Sequence, residues 1–379
     1  MGKINMRNCC LIVSVFFALL FKYWSIWGLM DDSLKYVFLL VSIFFALLNL
    51  FRKKYTKKAM QSILLFGVLS VIVCYITGEI DFIYAFLLAL VFMDEEEGDY
   101  LFIKYYVLSG LLLFLVTILF GELGITKSYN AIRKIDGVTI QRSSLGFEHV
   151  NAVFKNFFPI CLGVYMLFYN KNKSKKILLY SVIVFTGYVL YKATNCRTGY
   201  IAVILIPVAD IIYNRMIKKR NFKIIKYFFI IFTLVSVGIA FAFGKSNNEV
   251  NVLLSNRPIL YYEMLTKSNI TLFGNESNVD NTYFWLLYHK GLIVYMLYLL
   301  IYMKSVEKLS LNRIFVLPIL LFGVYSMFEN LDVYNYNFLF VIELITILNK
   351  NKVKYRWIKN EKDERTDCNE KKIELYRYC

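Results

Sequence analysis

Four short polar patches interrupt a chain otherwise dominated by hydrocarbon side chains, and each holds residues able to do chemistry. The first is Arg142-Ser143-Ser144-Leu145-Gly146-Phe147-Glu148-His149-Val150-Asn151. The second is Thr194-Asn195-Cys196-Arg197-Thr198-Gly199, and the third is Ser255-Asn256-Arg257-Pro258. The fourth, Val279-Asp280-Asn281-Thr282-Tyr283, leads on to Gly291-Leu292-Ile293. The last two lie in the longest polar interval between apolar runs, from Asn251 to Tyr283. The planar fork of arginine binds oxyanions bidentately and keeps its charge when partly buried. Asp280, His149 and Glu148 can take a proton from a bound hydroxyl.

Each of these residues also has an ordinary structural role open to it. Arg197 can snorkel to lipid headgroups from a corner between two helices, although an arginine between spans with few polar neighbours tends to be functional. Arg257 can be a turn residue leading into a short helix with Pro258 at its first position. Asp280 or Asn281 can be the N-cap of the next helix, where the positive helix end favours a carboxylate. His149 can be a packed or capping residue, and Arg142 an unremarked loop cation. His289 and Lys290 are expected to face a polar neighbour, and Asp210 and Glu343 to be paired or interfacial. The acidic run Asp94-Glu95-Glu96-Glu97 reads as a solvated loop rather than a metal site.

The elements that must position these patches are membrane spans. The 379 residues are 58% hydrophobic and 18% aromatic, with mean hydropathy +0.53. Repeated apolar runs approach the ~20 residues that cross a bilayer as helix, whereas a β-barrel would show alternating segments of about ten. Candidate spans are 9–29, 34–51, 60–77, 81–93, 101–121, 151–169, 177–194, 199–213, 227–243, 281–303, 314–328 and 336–349. The expected fold is therefore an all-α polytopic bundle over 1–350, with about twelve spans and ten as the fallback. External loops fall at 122–150 and, between spans nine and ten, at 244–280. A charged cytoplasmic tail follows at 351–379.

Charge fixes the orientation. Of the 44 Lys and Arg residues, thirty fall in segments that are internal if the N-terminus is inside, nine in external ones, and five within or at the ends of spans. This positive-inside bias puts both termini in the cytoplasm and all four patches on the outer side of the plasma membrane. It also couples the weak fourth span to the third, because deleting one alone would move every later basic cluster outside. The net charge of +17 is spread as short clusters between apolar runs, the pattern of topology rather than of nucleic-acid binding. The seven cysteines have no metal-ligand spacing and form no disulfide framework.

Taken together, the patches resemble the Wzy-type capsular and O-antigen polysaccharide polymerases, relatives of the O-antigen ligases. The likeness covers roughly residues 140–295 and rests on the order R-x-S-x-G-F-x-H-x-N, N-x-R-T-G, N-R-P, L-F-G and V-D-N-x-Y…G-L-I. Val150 stands where many relatives have proline, and Asp280 where the ligases have histidine. The resemblance implies a glycosyltransferase that needs no metal or cofactor and joins undecaprenyl-diphosphate-linked oligosaccharide repeats at the outer face. It further implies a flippase and a chain-length regulator as partners. On this reading Arg142, Arg197 and Arg257 hold the diphosphate, with Asn281 and Tyr283 also at the substrate. Asp280 takes the acceptor proton, with His149 and Glu148 in reserve, and Tyr261, Tyr262, Tyr283 and Trp285 offer stacking faces. The competing readings are a flippase of the same lipid-linked unit, which would carry charges through the membrane depth, and an O-antigen ligase, which Asp280 disfavours.

Overall fold

The computed structural model describes residues 6–28, 33–51, 55, 57–93, 98–128, 130–135, 138–216, 223–245, 251, 254–276, 279–310, 313–331 and 338–349. The acidic run 94–97 and the tail from 350 lie outside the described residues. Helices α1 (Met6–Trp27), α2 (Ser33–Leu50), α3 (Lys57–Thr77), α4 (Asp81–Phe92) and α5 (Gly98–Glu122) come first. A two-stranded antiparallel hairpin, β1 (Asn130–Ile135) and β2 (Val138–Ser143), precedes α6 (Ala152–Phe168), α7 (Lys173–Thr194), α8 (Arg197–Met216) and α9 (Phe228–Phe243). The chain ends with α10 (Arg257–Lys267), α11 (Thr282–Phe284), α12 (Leu292–Leu309), α13 (Arg313–Ser326) and α14 (Phe338–Leu348).

Among the described residues, six helices are long and apolar enough to cross a membrane: Asn8–Trp27, Ser33–Leu50, Ala59–Thr77, Gly98–Glu122, Lys173–Thr194 and Ile224–Phe243. The surface is inverted relative to that of a water-soluble protein. Leu64, Val71 and Tyr75 on α3 are 70%, 62% and 90% exposed, an apolar face that suits lipid and would be a liability in water. At the centre lies α14, whose sequence Phe-Leu-Phe-Val-Ile-Glu-Leu-Ile-Thr-Ile-Leu is apolar all round and buried at every position, as such a helix must be. It packs against α4, α5 and α12. The doubtful fourth span is thus the interior helix α4, which is too short to cross ~30 Å of hydrocarbon alone and is sheltered by its neighbours.

Side-chain bonds join helix ends into two layers. At one end Trp27 Nε1 donates to Thr117 Oγ1 (2.8 Å), and Lys290 pairs with Glu79. At the other, Asn49 Nδ2 donates to Val91 O (2.9 Å), Lys226 pairs with Glu307, and Asp210 accepts from Tyr165 and Tyr180 beside Lys176. Asp210 is therefore paired, as expected. Glu343 is not: it lines an internal cavity with Tyr283, Tyr298 and Tyr302, and among the described residues its buried Oε2 has no partner.

The helical class stands, and two connections carry structure of their own. The segment 122–150 holds the two-stranded hairpin, and the segment 244–280 contains α10 with Pro258 in its first turn. One expectation is corrected: the segment 281–303 is not one helix. After α11 it winds into a π-type turn at Trp285–His289, where Lys290 N donates to Trp285 O, and it breaks at Gly291 (φ +89°) before α12. A strap of residues 271–275 fills the break: Leu292 N and Ile293 N donate to Thr271 O and Leu272 O, and Asn275 N donates to Tyr288 O. Gly274 (φ +90°) and Gly291 lie so close that a Cβ on either would overlap the other's backbone neighbourhood, so the crossing admits only glycine there. The other eleven predicted segments coincide with helices to within a few residues.

Candidate functional site

The four patches meet at a residue that belongs to none of them, Glu329. It follows α13, its side chain is fully buried, and it gathers four donors from three helices. Arg257 Nη2, at the start of α10, lies 2.5 Å from Oε1. Thr198 Oγ1, in the first turn of α8, donates to the same oxygen at 2.8 Å. Lys155 Nζ on α6 lies 3.7 Å from Oε2, and Asn151 Nδ2, one turn earlier, is 3.5 Å from both oxygens. A buried carboxylate is tolerable only when paired and hydrogen-bonded in this way.

Local sequence explains how each donor arrives. Asn195 ends α7 in the left-handed conformation (φ 48°), which asparagine accepts more readily than most residues, and the chain re-enters helix at Arg197. That corner brings Thr198 onto Glu329. Gly199, next along, abuts Phe154 of α6 so closely that any Cβ would overlap it; the closeness sets the α6–α8 spacing and with it the distance from Lys155 and Asn151 to Thr198. Ser255 and Asn256 are both left-handed (φ 58° and 61°) immediately before Arg257. Backbone strain of this kind persists only where surrounding contacts over-determine it. Here it turns Arg257 inward, to 5% exposure.

The loop 327–331 that presents Glu329 is clasped by the polar interval. The Tyr261 hydroxyl is shared between Asp280 O (2.8 Å) and Met327 O (2.9 Å). Asn281 Nδ2 donates to Ser236 Oγ (3.0 Å) and Met327 O (2.9 Å), while its Oδ1 accepts from Tyr283 N and Phe284 N. Thr282 Oγ1 donates to Glu329 O and accepts from Leu331 N.

Asn281, not Asp280, is therefore the N-cap of α11. With every hydrogen-bonding position of its side chain used and no exposure, Asn281 holds the loop and presents nothing to a ligand. Tyr283 is likewise buried, its hydroxyl on Gly323 O (2.9 Å), and Tyr261 and Trp285 are buried too, so none of the three offers an open stacking face; Tyr262 is only half-buried. Arg142 is committed to structure as well: its Nε donates to Thr194 O at the C-terminal end of α7 (2.7 Å) and its Nη2 to Asn151 Oδ1 (3.3 Å). A cation there suits the negative helix end.

Four groups remain accessible. Asp280 has a half-exposed carboxylate 3.9 Å from Arg257 Nη2. Arg197 is half-buried and, among the described residues, has no ion-pair or hydrogen-bond partner for its guanidinium. His149 is exposed, and its Nδ1 accepts from Asn151 N at 3.2 Å. Partial burial, with Lys155 nearby, lowers the pKa of His149 below 6.5, against smaller opposing pulls from Asp280 and Glu329. The neutral ring with Nδ1 so engaged carries its proton on Nε2 and acts as a donor, not a base. Glu148 is exposed beside it.

Electrostatics keep Arg257 charged. Burial opposes the guanidinium, but Glu329, Tyr261 and Asp280 outweigh it and the net shift is upward. Its Nε is buried and unpartnered among the described residues. Burial and Glu329 push the Cys196 thiol up to about 11, which makes it inert. Around Glu329, three cations (Arg142, Lys155, Arg257) meet two carboxylates (Glu329, Asp280), so the cluster is cationic overall. Such a site can hold an anion beside an exposed proton acceptor.

Sequence reasoning missed Glu329 and Lys155. The available signal was charge balance: several cations converging on one face require a buried counter-charge, and Glu329 is the carboxylate at the outer edge of the run 314–328.

Comparison with known proteins adds no identification: no protein family, no curated sequence and no solved structure shows significant similarity to this chain.

Proposed function

We propose that the chain is a bacterial plasma-membrane glycosyltransferase of the Wzy-type polymerase class, spanning the membrane about twelve times with both termini in the cytoplasm. Its substrate is an oligosaccharide repeat on undecaprenyl diphosphate. The acceptor sugar hydroxyl attacks the anomeric carbon of the donor, the bond from that carbon to the diphosphate oxygen breaks, and the diphosphate leaves with the electron pair. Asp280 takes the hydroxyl proton. Arg197 and Arg257 hold the diphosphate and offset the charge that builds on it, and the Nε2–H of neutral His149 is a donor available to the same oxygens.

The observation that carries this reading is the convergence of all four motif patches on one cationic cluster with a single exposed, uncapped carboxylate beside a buried arginine. The net positive charge of the cluster suits the negative charge of a diphosphate diester, and Arg197 at the neighbouring helix corner supplies a further cation. Charges gathered at one end of the bundle favour an enzyme over a flippase, which needs them through the membrane depth. The test is a cell lacking this chain. Lipid-linked single repeats should accumulate and polymer should vanish, and expression of Asp280→Asn should not restore polymer. Loss of single repeats from the outer leaflet instead would identify a flippase, and normal polymer in the deletion strain would refute the reading.

A further inference from the structure

The segment between α10 and Asp280 reads in the sequence as part of an external, water-exposed loop. Its structure contradicts a wholly aqueous setting. Ile270, Leu272 and Phe273 are 50%, 54% and 61% exposed, and nothing among the described residues covers them. The backbone of this segment is strapped to the first turn of α12 through the bonds from Leu292 N and Ile293 N to Thr271 O and Leu272 O. On α12 the exposed apolar residues are Leu292, Ile293, Met296 and Leu300, spaced at i, i+1, i+4 and i+8 along one helix face. The strap sets the three loop residues beyond the helix end, where they extend this apolar stripe around the exposed Thr271. The polar flanks sit on either side: Lys267 and Glu263 form an exposed ion pair at the end of α10, and Asn275 Nδ2 ties back to Asn269 O.

We infer that residues 270–273 form a lip inserted into the hydrocarbon of the bilayer, and that its covering partner is the acyl chains of membrane lipid. The inference rests on the reading of the bundle as membrane-spanning and is independent of the chemistry proposed for the cluster. Continuity with the α12 stripe decides the occupant. A protein partner would need to match a surface that changes from loop to helix in mid-patch, whereas hydrocarbon has no shape to match, and the strap satisfies the Thr271 and Leu272 carbonyls within the chain. The lip joins α10, which begins with Arg257, to Asp280. Inserted to this depth, it sets the cationic cluster at headgroup level, where a lipid-borne diphosphate lies while its tail stays in the bilayer.

The test is cysteine labelling of the full chain in phosphatidylcholine vesicles opened to reagent on both faces. A charged, membrane-impermeant maleimide is used, with modification read at the introduced residue by mass spectrometry. Maleimide needs a thiolate, and a thiol in hydrocarbon stays protonated. Leu272→Cys and Phe273→Cys should label at most about one tenth as fast as Lys267→Cys, whose side chain is 72% exposed. Detergent micelles cover the same apolar surface, so the second readout is made in the vesicles: a small neutral bimane fluorophore attached at Phe273→Cys should be quenched by phosphatidylcholine brominated along its acyl chains, and one attached at Lys267→Cys should not. Equal labelling in vesicles overturns the lip. Protection from the maleimide without quenching by the brominated lipid also overturns it, because it would mean that a protein partner or a second copy covers the patch. Buried Cys161 and Cys196 report on folding, since both stay unmodified in a folded variant. If either lip variant labels there, Ile270→Cys supplies the reading instead. Failure of this test leaves the polymerase reading standing, and normal polymer in a deletion strain leaves the lip standing.

Discussion

The pairing of Arg257 with Glu329 makes a prediction that does not depend on the reaction. Glu329 is fully buried, and the Arg257 side chain is 6% exposed, with 2.5 Å between Nη2 and Oε1. Removing one member of a buried pair strands the other charge and costs about 3–5 kcal/mol. Arg257→Met leaves Glu329 with Thr198, Asn151 and the more distant Lys155, so the lower part of that range, about 3 kcal/mol, is expected. Glu329→Gln leaves Arg257 facing Asp280 at 3.9 Å across a half-exposed gap, a weak substitute, and again about 3 kcal/mol is expected. The double variant strands neither charge. It should lose about 3 kcal/mol in all rather than about 6, a coupling of about 3 kcal/mol. Denaturant-driven unfolding in mixed micelles, run as a four-protein cycle, measures it. Additivity to within about 0.5 kcal/mol would mean that the pair does not interact in the folded protein and that the cluster is wrongly assembled. Activity cannot stand in for this measurement, because all three variants should be inactive.

Other expectations follow from the same contacts. Asp280→Asn should leave stability within about 0.5 kcal/mol, since the side chain is half exposed and Asn281 supplies the cap, while polymer is lost; normal-length polymer would remove Asp280 from the mechanism. Asn281→Ala deletes the cap and two further side-chain bonds, and melting curves should report about 3 kcal/mol of destabilisation. Because the folded-state pKa of His149 lies below 6.5, the unfolded chain binds more protons as pH falls; its contribution to stability is complete above about 6.5 and declines below it. Stability profiles of His149→Gln should accordingly be flatter on the acid side, and an unchanged slope would contradict the assignment. Arg197→Lys should fold normally, having no partner to lose among the described residues, yet make little polymer, because a point ammonium does not reproduce the guanidinium fork; polymer of normal length from this variant would reduce Arg197 to a headgroup anchor.

The helices were legible because lipid compatibility imposes a long, local signal: an apolar run reports its own environment regardless of what it packs against. What the sequence could not report is where a run bends. Nothing in the string from 281 to 303 marks a break except Gly291, and a lone glycine inside an apolar run is ordinary in a span. The break becomes necessary only when Gly274, seventeen residues earlier, is brought against it. The site divides in the same way. The motif residues were legible as polar exceptions in an apolar chain, but their division of labour was not. Asn281 and Asp280 are neighbours, both suited to capping, and the choice between them depends on Met327 and Ser236, which lie 46 and 45 residues away. Arg142, Arg197 and Arg257 are alike as letters. One spends its donors on a helix end, one is sunk against a carboxylate, and one is left facing out.

That difference bears on mechanism. The buried arginine cannot leave Glu329 without stranding a charge, so it stays in place, with Nη2 3.9 Å from Asp280. Arg197 is half-buried and, among the described residues, has no partner for its guanidinium. On the proposed mechanism, a fixed cation beside the proposed proton acceptor and an uncommitted one at the helix corner hold one diphosphate at the reacting bond and release it afterwards by letting go at Arg197. Within the proposed reaction, Arg257→Lys should therefore depress turnover chiefly, and Arg197→Lys should weaken donor binding chiefly. Rate measurements at rising concentrations of lipid-linked donor separate the two, since excess donor should rescue Arg197→Lys and leave Arg257→Lys slow. Rescue of both, or of neither, would mean that the two arginines share one role and that the contrast in burial carries no functional weight.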